Sequence, residues 1–281
     1  MDDYRIDQGW NSYSAAEHDM WRRLVSRQDQ VLPGRACAEY LAGIDCLGLR
    51  DAGIPDFGRL SDVLEARTGW RIVAVPGLIP DQAFFAHLAE RRFPAGNFIR
   101  TPAQLEYLTE PDVFHDIYGH APMLANRAYA DFACAFGKLG LQAAASGGIA
   151  NMCRLYWYSL EFGLVQTDAG LRAYGAGIVS SPAETVFALE SPSPNRLGFD
   201  LERVMRTDYR IDDFQETYFA IDSLDALYGL LDVSWAPLLA RLAGVEAIGR
   251  GARLAGDNVL SAGSGDYHRR PGDDDGLKIA V

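Results

Sequence analysis

Thr109-Glu-Pro-Asp-Val-Phe-His115-Asp-Ile-Tyr-Gly-His120-Ala-Pro-Met-Leu124 holds two of the five histidines in the chain, set among proline, aspartate, glycine and aromatics. Five residues of ideal α-helix turn through about 500°, which leaves the two imidazoles about 140° apart. An i,i+4 pair would share one face, as in the zinc-binding H-E-x-x-H arrangement. Here convergence on one ion needs a helix that is distorted or ends nearby, and Gly119 and Pro122 offer the means. On spacing alone, two separate structural histidines are the commoner outcome. Thr109 or Glu110 is expected to cap the segment, with Pro111 in its first turn.

A second stretch, Leu155-Tyr-Trp-Tyr-Ser-Leu-Glu161-Phe-Gly-Leu-Val165, sets one carboxylate in an apolar, aromatic run. Such a group is costly to bury unless something neutralises it. Arg154, two helical turns back, is one candidate partner and a bound cation is another. Two imidazoles and one carboxylate are the ligand set of a non-heme Fe(II) site with open positions.

The rest of the chain frames these stretches. Hydrophobic residues make up 48% of the 281, which allows a sizeable core. No run of about 18 apolar residues occurs, so no membrane span is expected. The start, MDDYRIDQGW, lacks the basic-then-apolar order of a signal peptide. A net charge of -12 argues against nonspecific nucleic-acid binding, which needs a basic surface. These features point to an acidic, cytoplasmic protein. Cys37, Cys46, Cys134 and Cys153 form no C-x-x-C pair, and reduced thiols are expected.

Ser14-Ala-Ala-Glu17 has capping-box form and should open a helix through about Val31. A second helix follows Pro33-Gly34, and Ser61 should cap a short third one that ends at Thr68-Gly69. Trp70–Val75 reads as a strand. Asp81 should cap the next helix, which Pro94 should stop, and Asn97–Arg100 reads as a short extended piece. Helices are expected over 128–145 and 150–167, the latter carrying Glu161. Arg172–Ser181 reads as strand and turn, Ser181-Pro182 as the start of a helix through Leu189, and SPSPNRLGF as a loop. The fold class is therefore mainly α with short β-strands. A single catalytic domain is expected over 1–250, with 251–281 a Gly-rich, polar, disordered tail.

Three motifs carry a resemblance: Pro111–His120, Tyr156–Leu164, and Tyr174-Gly-Ala-Gly-Ile-Val-Ser-Ser181. In order and separation they resemble the pterin-dependent aromatic amino acid hydroxylases, most closely the short bacterial phenylalanine-hydroxylating members. The likeness runs from about Tyr13 to beyond Leu224. It includes VLPGRAC at Val31–Cys37, GWRIVAVPGLIP at Gly69–Pro80 and SPNRLGFDL at Ser193–Leu201.

The resemblance implies the aromatic amino acid hydroxylase catalytic fold. It implies Fe(II) held by His115, His120 and Glu161, and a tetrahydrobiopterin or related tetrahydropterin that supplies electrons to O₂. Phe84 matches the position that stacks on the pterin, with Tyr156 near the ring, Gly77, Leu78 and Ile79 at its edge, and Asp116 as an acidic neighbour. Arg100 matches the grip on the substrate carboxylate, with Asp112 holding that arginine. Gly177 and Ser180 match further substrate-side positions, and Trp157 and Phe162 match pocket walls. Without the resemblance, Phe84 reads as ordinary core and Arg100 as a solvated surface residue.

The implied reaction is that of a phenylalanine 4-monooxygenase, turning L-phenylalanine into L-tyrosine in phenylalanine catabolism or tyrosine supply. Tryptophan 5-hydroxylation and phenylalanine 3-hydroxylation are the alternatives within the family. Trp157 counts against the first, because tryptophan-hydroxylating relatives carry Phe there. One departure is Ala95-Gly-Asn-Phe-Ile99, where the best-known bacterial relatives are richer in tryptophan; it borders the pocket, so substrate preference rests less on the match than the cofactor set does. The end of the chain shows no heptads, so a monomer is expected, without allosteric activation through a regulatory domain. A zinc hydrolase with the same ligands, or a non-catalytic helical protein with buried histidines, are the rival readings from other classes.

Overall fold

The computed structural model describes residues 3–50, 53–105 and 110–269. Helix α1 (Ala15–Val31) opens with the expected reciprocal cap: the Ser14 hydroxyl accepts from the Glu17 N–H, and the Glu17 carboxylate accepts from the Ser14 N–H. With α2 (Ala38–Leu47) and α3 (Phe57–Thr68) it buries Trp21, Tyr40, Ile44 and Leu64. Asp56 caps α3 rather than Ser61. Ser61 lies inside the helix, where its hydroxyl donates to the Phe57 carbonyl and accepts the Ile72 N–H at 3.0 Å. That bond ties α3 to strand β1 (Arg71–Val75).

β1 pairs in parallel with β2 (Arg92–Gly96), and α4 (Asp81–Ala89) makes the crossover. Pro94 therefore sits in a strand and does not end a helix. In a two-stranded sheet both strands are edges, so its missing N–H breaks no ladder. Asp81 is the first helical residue and makes no side-chain cap, and Asn97–Arg100 lies beyond the strand. Two further helical pieces, described with the site below, are π-helical: Phe114–His120, which runs into α5 (Ala121–Leu124), and the segment that closes α7.

The long helix α6 (Arg127–Ser146) is the backbone of the core, and α4 lies along it. A Cβ at Gly140 would stand 2.4 Å from the Phe85 ring, and one at Gly137 2.3 Å from the Ala89 nitrogen. The two helices approach this closely because those positions have no side chain.

Helix α7 (Ile149–Tyr156) becomes π-helical over Trp157–Glu161. The helix expected over 150–167 thus ends early, and Gly163–Thr167 is strand β3. There follow β4 (Gly170–Ala173), α8 (Ala176–Val179), α9 (Pro182–Glu190, capped by Ser181), β5 (Asn195–Gly198), α10 (Leu201–Arg206), β6 (Thr217–Ile221), α11 (Ala226–Gly229), α12 (Trp235–Leu242) and β7 (Val259–Ser261). β5 falls inside the stretch expected to be a loop. The strand order is β4-β3-β6-β5-β7, parallel for β3/β6 and β6/β5 and antiparallel at both ends. The central β6 is buried at all five residues, as a strand covered on both faces should be.

The expectation of a disordered tail from residue 251 fails over 251–269. β7 adds to the sheet beside β5, and the Arg203–Asp257 ion pair (2.8 Å) is buried. Tyr267 and His268 pack on Phe187 and Phe214. This segment has no core of its own; edge pairing, an ion pair and ring contacts hold it to the domain. Residues 270–281 lie outside the described residues. All four cysteines are unpaired, and Cys37 and Cys134 are buried. Among the described residues no helix is long and apolar enough to cross a membrane.

Candidate active site

The two histidines converge because their segment is not α-helical. In a π-helix the hydrogen bonds run i→i+5, so residues five apart stack over one another. His115 and His120 are such a pair, with ring centroids 5.2 Å apart. The i→i+4 pattern returns where the Ala121 N–H bonds the Ile117 carbonyl. Asp112, not Glu110, caps the start, its carboxylate accepting the His115 N–H at 3.0 Å; Pro111 precedes the first turn instead of sitting in it, and Thr109 lies outside the described residues. Glu161 closes the second π-helical segment, where the Phe162 N–H reaches back to the Trp157 carbonyl at 2.7 Å.

His115 Nε2 stands 3.2 Å from Glu161 Oε1, and His120 Nε2 stands 3.1 Å from Glu161 Oε2. One donor atom from each of the three lies within 4.8 Å of the other two, the one such group of metal-binding donors among the described residues. The alternative partner, Arg154, pairs instead with Asp208 at 2.7 Å. Gly177 leaves room for the carboxylate: a Cβ there would be 2.7 Å from Glu161 Oε1.

The charges are tightly coupled. Burial alone would raise the Glu161 carboxyl, but the two facing imidazoles hold it well below the usual range. Burial also opposes protonation of His115, yet Glu161 outweighs it and lifts that ring to about 9. His120, more deeply buried, is lowered. A divalent cation bound between the three groups would compete with protons for the same lone pairs. Burial pushes Asp116 up to about 7, against the pull of His115 and the Gly96 N–H, which donates to it at 2.7 Å.

Above the three donors lies a cavity of about 550 Å³. Arg100, Trp157, Phe162, Gly177 and Ser180 all reach its wall. Asp112 does not; it stands behind Arg100, fully buried, and takes Nε and Nη2 at 2.9 Å each. That fork leaves the Nη1 edge of the guanidinium for a ligand. Ser180 Oγ lies 3.1 Å from His115 Nδ1 and so orients the ring with Nε2 toward Glu161. A second cavity of about 280 Å³ adjoins the first, and every residue expected on the pterin side lines it: Gly77, Leu78, Ile79, Phe84, Asp116 and Tyr156. Gly77 has φ +149°, a conformation open to glycine, and this turns the Leu78 loop over the cavity.

Residues 5–241 match the family described as biopterin-dependent aromatic amino acid hydroxylase. The chain belongs to that family. It is 56% identical over 265 residues to the phenylalanine-4-hydroxylase of Caulobacter vibrioides, covering 94% of this chain and 90% of that one. To the phenylalanine-4-hydroxylase of Ralstonia nicotianae it is 53% identical, covering 93% of this chain and 84% of that one. The iron- and phenylalanine-bound crystal structure of the Chromobacterium violaceum phenylalanine hydroxylase superposes with a TM-score of 0.88 at 49% identity, over 92% of this chain and 94% of that one.

The hydroxylase has a donor set that fits Fe(II): two imidazoles and a carboxylate converge from one side and leave the cavity side open. Its smaller cavity fits a flat heterocycle, with the half-buried Phe84 ring standing 5.3 Å from Tyr156. Sequence reading missed Phe93, Pro94, Glu110, Pro111, Ser181 and Ile211 on the larger cavity's wall. Ile211 is 79% exposed in a loop, and no local pattern marks it.

Proposed function

We propose that this hydroxylase converts L-phenylalanine to L-tyrosine with O₂ and a tetrahydropterin, as a phenylalanine 4-monooxygenase, and that His115, His120 and Glu161 hold its Fe(II). The convergence of those three side chains beneath a cavity with one anchored arginine carries the reading. Iron and the reduced pterin together supply the electrons that O₂ needs before it can attack an arene.

The chain's own residues bind and orient. Arg100, fixed by Asp112, takes the substrate carboxylate through its remaining edge. Trp157 and Phe162, 4.8 Å apart, form the apolar wall for the ring. The Ser180 hydroxyl, 3.1 Å from His115 Nδ1, can accept a hydrogen bond from that nitrogen in the tautomer whose Nε2 presents its lone pair. Gly177 keeps the space beside Glu161 clear. The walls of the smaller cavity, Phe84, Leu78 and Tyr156 among them, stack and edge the pterin. Phe84 and Arg100 have these roles only in this reading, which sets it apart from the zinc-hydrolase and non-catalytic readings.

Product analysis tests the proposal. The protein is incubated with Fe(II), tetrahydropterin and O₂, separately with phenylalanine and with tryptophan, and the products are resolved chromatographically. Tyrosine should dominate. Mainly meta-tyrosine or 5-hydroxytryptophan would overturn the substrate and position assigned here while keeping the cofactors.

A further inference from the structure

The Trp157 indole is fixed by a loop that none of the three sequence motifs contains. Its ring stacks on Tyr209, with centroids 4.3 Å apart and planes 17° from parallel, while Phe162 meets it at 4.8 Å and 36°. Its Nε1–H donates to Gln215 Oε1 at 2.9 Å. Gln215 is 1% exposed and every polar atom of its side chain is used. Its amide donates to the Arg210 carbonyl at 2.8 Å and to the Asp213 carbonyl at 3.4 Å, and Oε1 also accepts the Arg210 N–H at 3.2 Å. One side chain therefore closes the loop on itself and holds the indole.

The other end of the loop is fastened to the same helix. The Tyr158 hydroxyl donates to the Asp208 carbonyl at 2.6 Å, and Arg154 Nη2 meets the Asp208 carboxylate at 2.7 Å. Residues 154, 157 and 158 of the helix thus grip loop residues 208, 209 and 215. Ile211, at the exposed crest of this loop, reaches the cavity wall beside Trp157.

A wall selects by shape only while it keeps its position; an indole free to change rotamer would admit larger rings and other poses. We infer that Tyr209 and Gln215 are specificity-determining positioning residues: they lock the Trp157 indole by stacking and by one hydrogen bond, and so set the size of ring the cavity accepts and the carbon it presents. This rests on the reaction proposed above for the same cavity.

The test uses the full chain and two readouts. In Tyr209→Ala and in Gln215→Met, the preference for phenylalanine over tryptophan, as a ratio of kcat/KM, should fall about tenfold. The fraction of meta-tyrosine among the products should rise, and iron content should stay at the wild-type level. Tyr209→Phe, which keeps the stacked ring, should preserve the preference. In a Trp157→Phe background the same substitutions should change the preference little, since the wall they hold is gone. Calorimetric binding of L-phenylalanine and L-tryptophan gives the same ratio without turnover, so the clamp can be judged even if the wild type forms no tyrosine, an outcome that would sink the proposed reaction instead. Unchanged binding and product ratios in both single variants would overturn the inference. An equal loss of preference in the Trp157→Phe background would also overturn it, because the effect would not pass through Trp157. Should Gln215→Met fail to fold, the Tyr209→Ala and Tyr209→Phe pair decides.

Discussion

At the scale of single residues, the site is made of ionisable groups in places that would otherwise be costly. Arg100 and Asp112 separate two roles. Arg100→Ala would strand a buried carboxylate and should destabilise the fold by about 3–5 kcal/mol in denaturant titrations. Arg100→Lys keeps the charge but not the fork, and should mainly raise the KM for phenylalanine, by about tenfold. Glu184 offers a pH test away from the proposed metal ligands. It is buried, accepts a hydrogen bond from the Tyr218 hydroxyl, and burial pushes its carboxyl up to about 8. Its folded pKa lies above the unfolded one, so its contribution to stability is complete below the unfolded value and is lost as pH rises through about 8. Glu184→Gln mimics the protonated form, and its advantage in Tm over the wild type should widen between about pH 5 and pH 8. The histidines and Glu161 were legible as odd residues in apolar or aromatic runs. The places of Arg100 and Phe84 on the cavity walls were legible only through the resemblance, because nothing local tells a cavity-lining arginine from a solvated one or a cavity-lining phenylalanine from core. Tyr209 and Gln215 were not legible at all, since their meaning depends on a ring more than fifty positions away.

At the scale of elements, both segments that carry the proposed iron ligands are π-helical, and this resolves the angular mismatch that made the His115/His120 spacing ambiguous. Helix periodicity, caps and breakers placed α1, α2 and α9 well. They could not announce a change from i→i+4 to i→i+5 bonding, which tertiary packing imposes. The short strands β2 and β5 were missed for a related reason: RFPAG and NRLG lack the β-branched alternation that marks a strand, and burial in a sheet defines them instead. The packing of α8 on Phe114–His120 gives a test. Gly177→Ala would put a methyl 2.7 Å from both Glu161 Oε1 and the Phe162 ring. Iron affinity should drop about 10–100-fold, as for other changes that disturb a ligand's setting. The circular-dichroism spectrum should stay that of the wild type.

At the scale of the whole molecule, the segment over residues 251–269 belongs to the structure that supports the cavity. It read as a tail because its composition is polar and Gly-rich, yet its Asp257 pairs with Arg203 and its Tyr267 hydroxyl donates to Asp213 in the loop that holds Trp157. Asp257→Ala should cost about 3–5 kcal/mol, because it leaves a buried guanidinium unpaired; a thermal melt checks it. The central claim is that Glu161 and the two histidines form one iron site at which phenylalanine is hydroxylated. The most direct measurement is iron content and tyrosine yield, determined side by side on the wild type and Glu161→Ala after loading with Fe(II) and supplying tetrahydropterin, phenylalanine and O₂. The account predicts bound iron and tyrosine in the wild type and the loss of both in the variant. Tyrosine formed at the wild-type rate by Glu161→Ala, or none formed by an iron-loaded wild type, would contradict it.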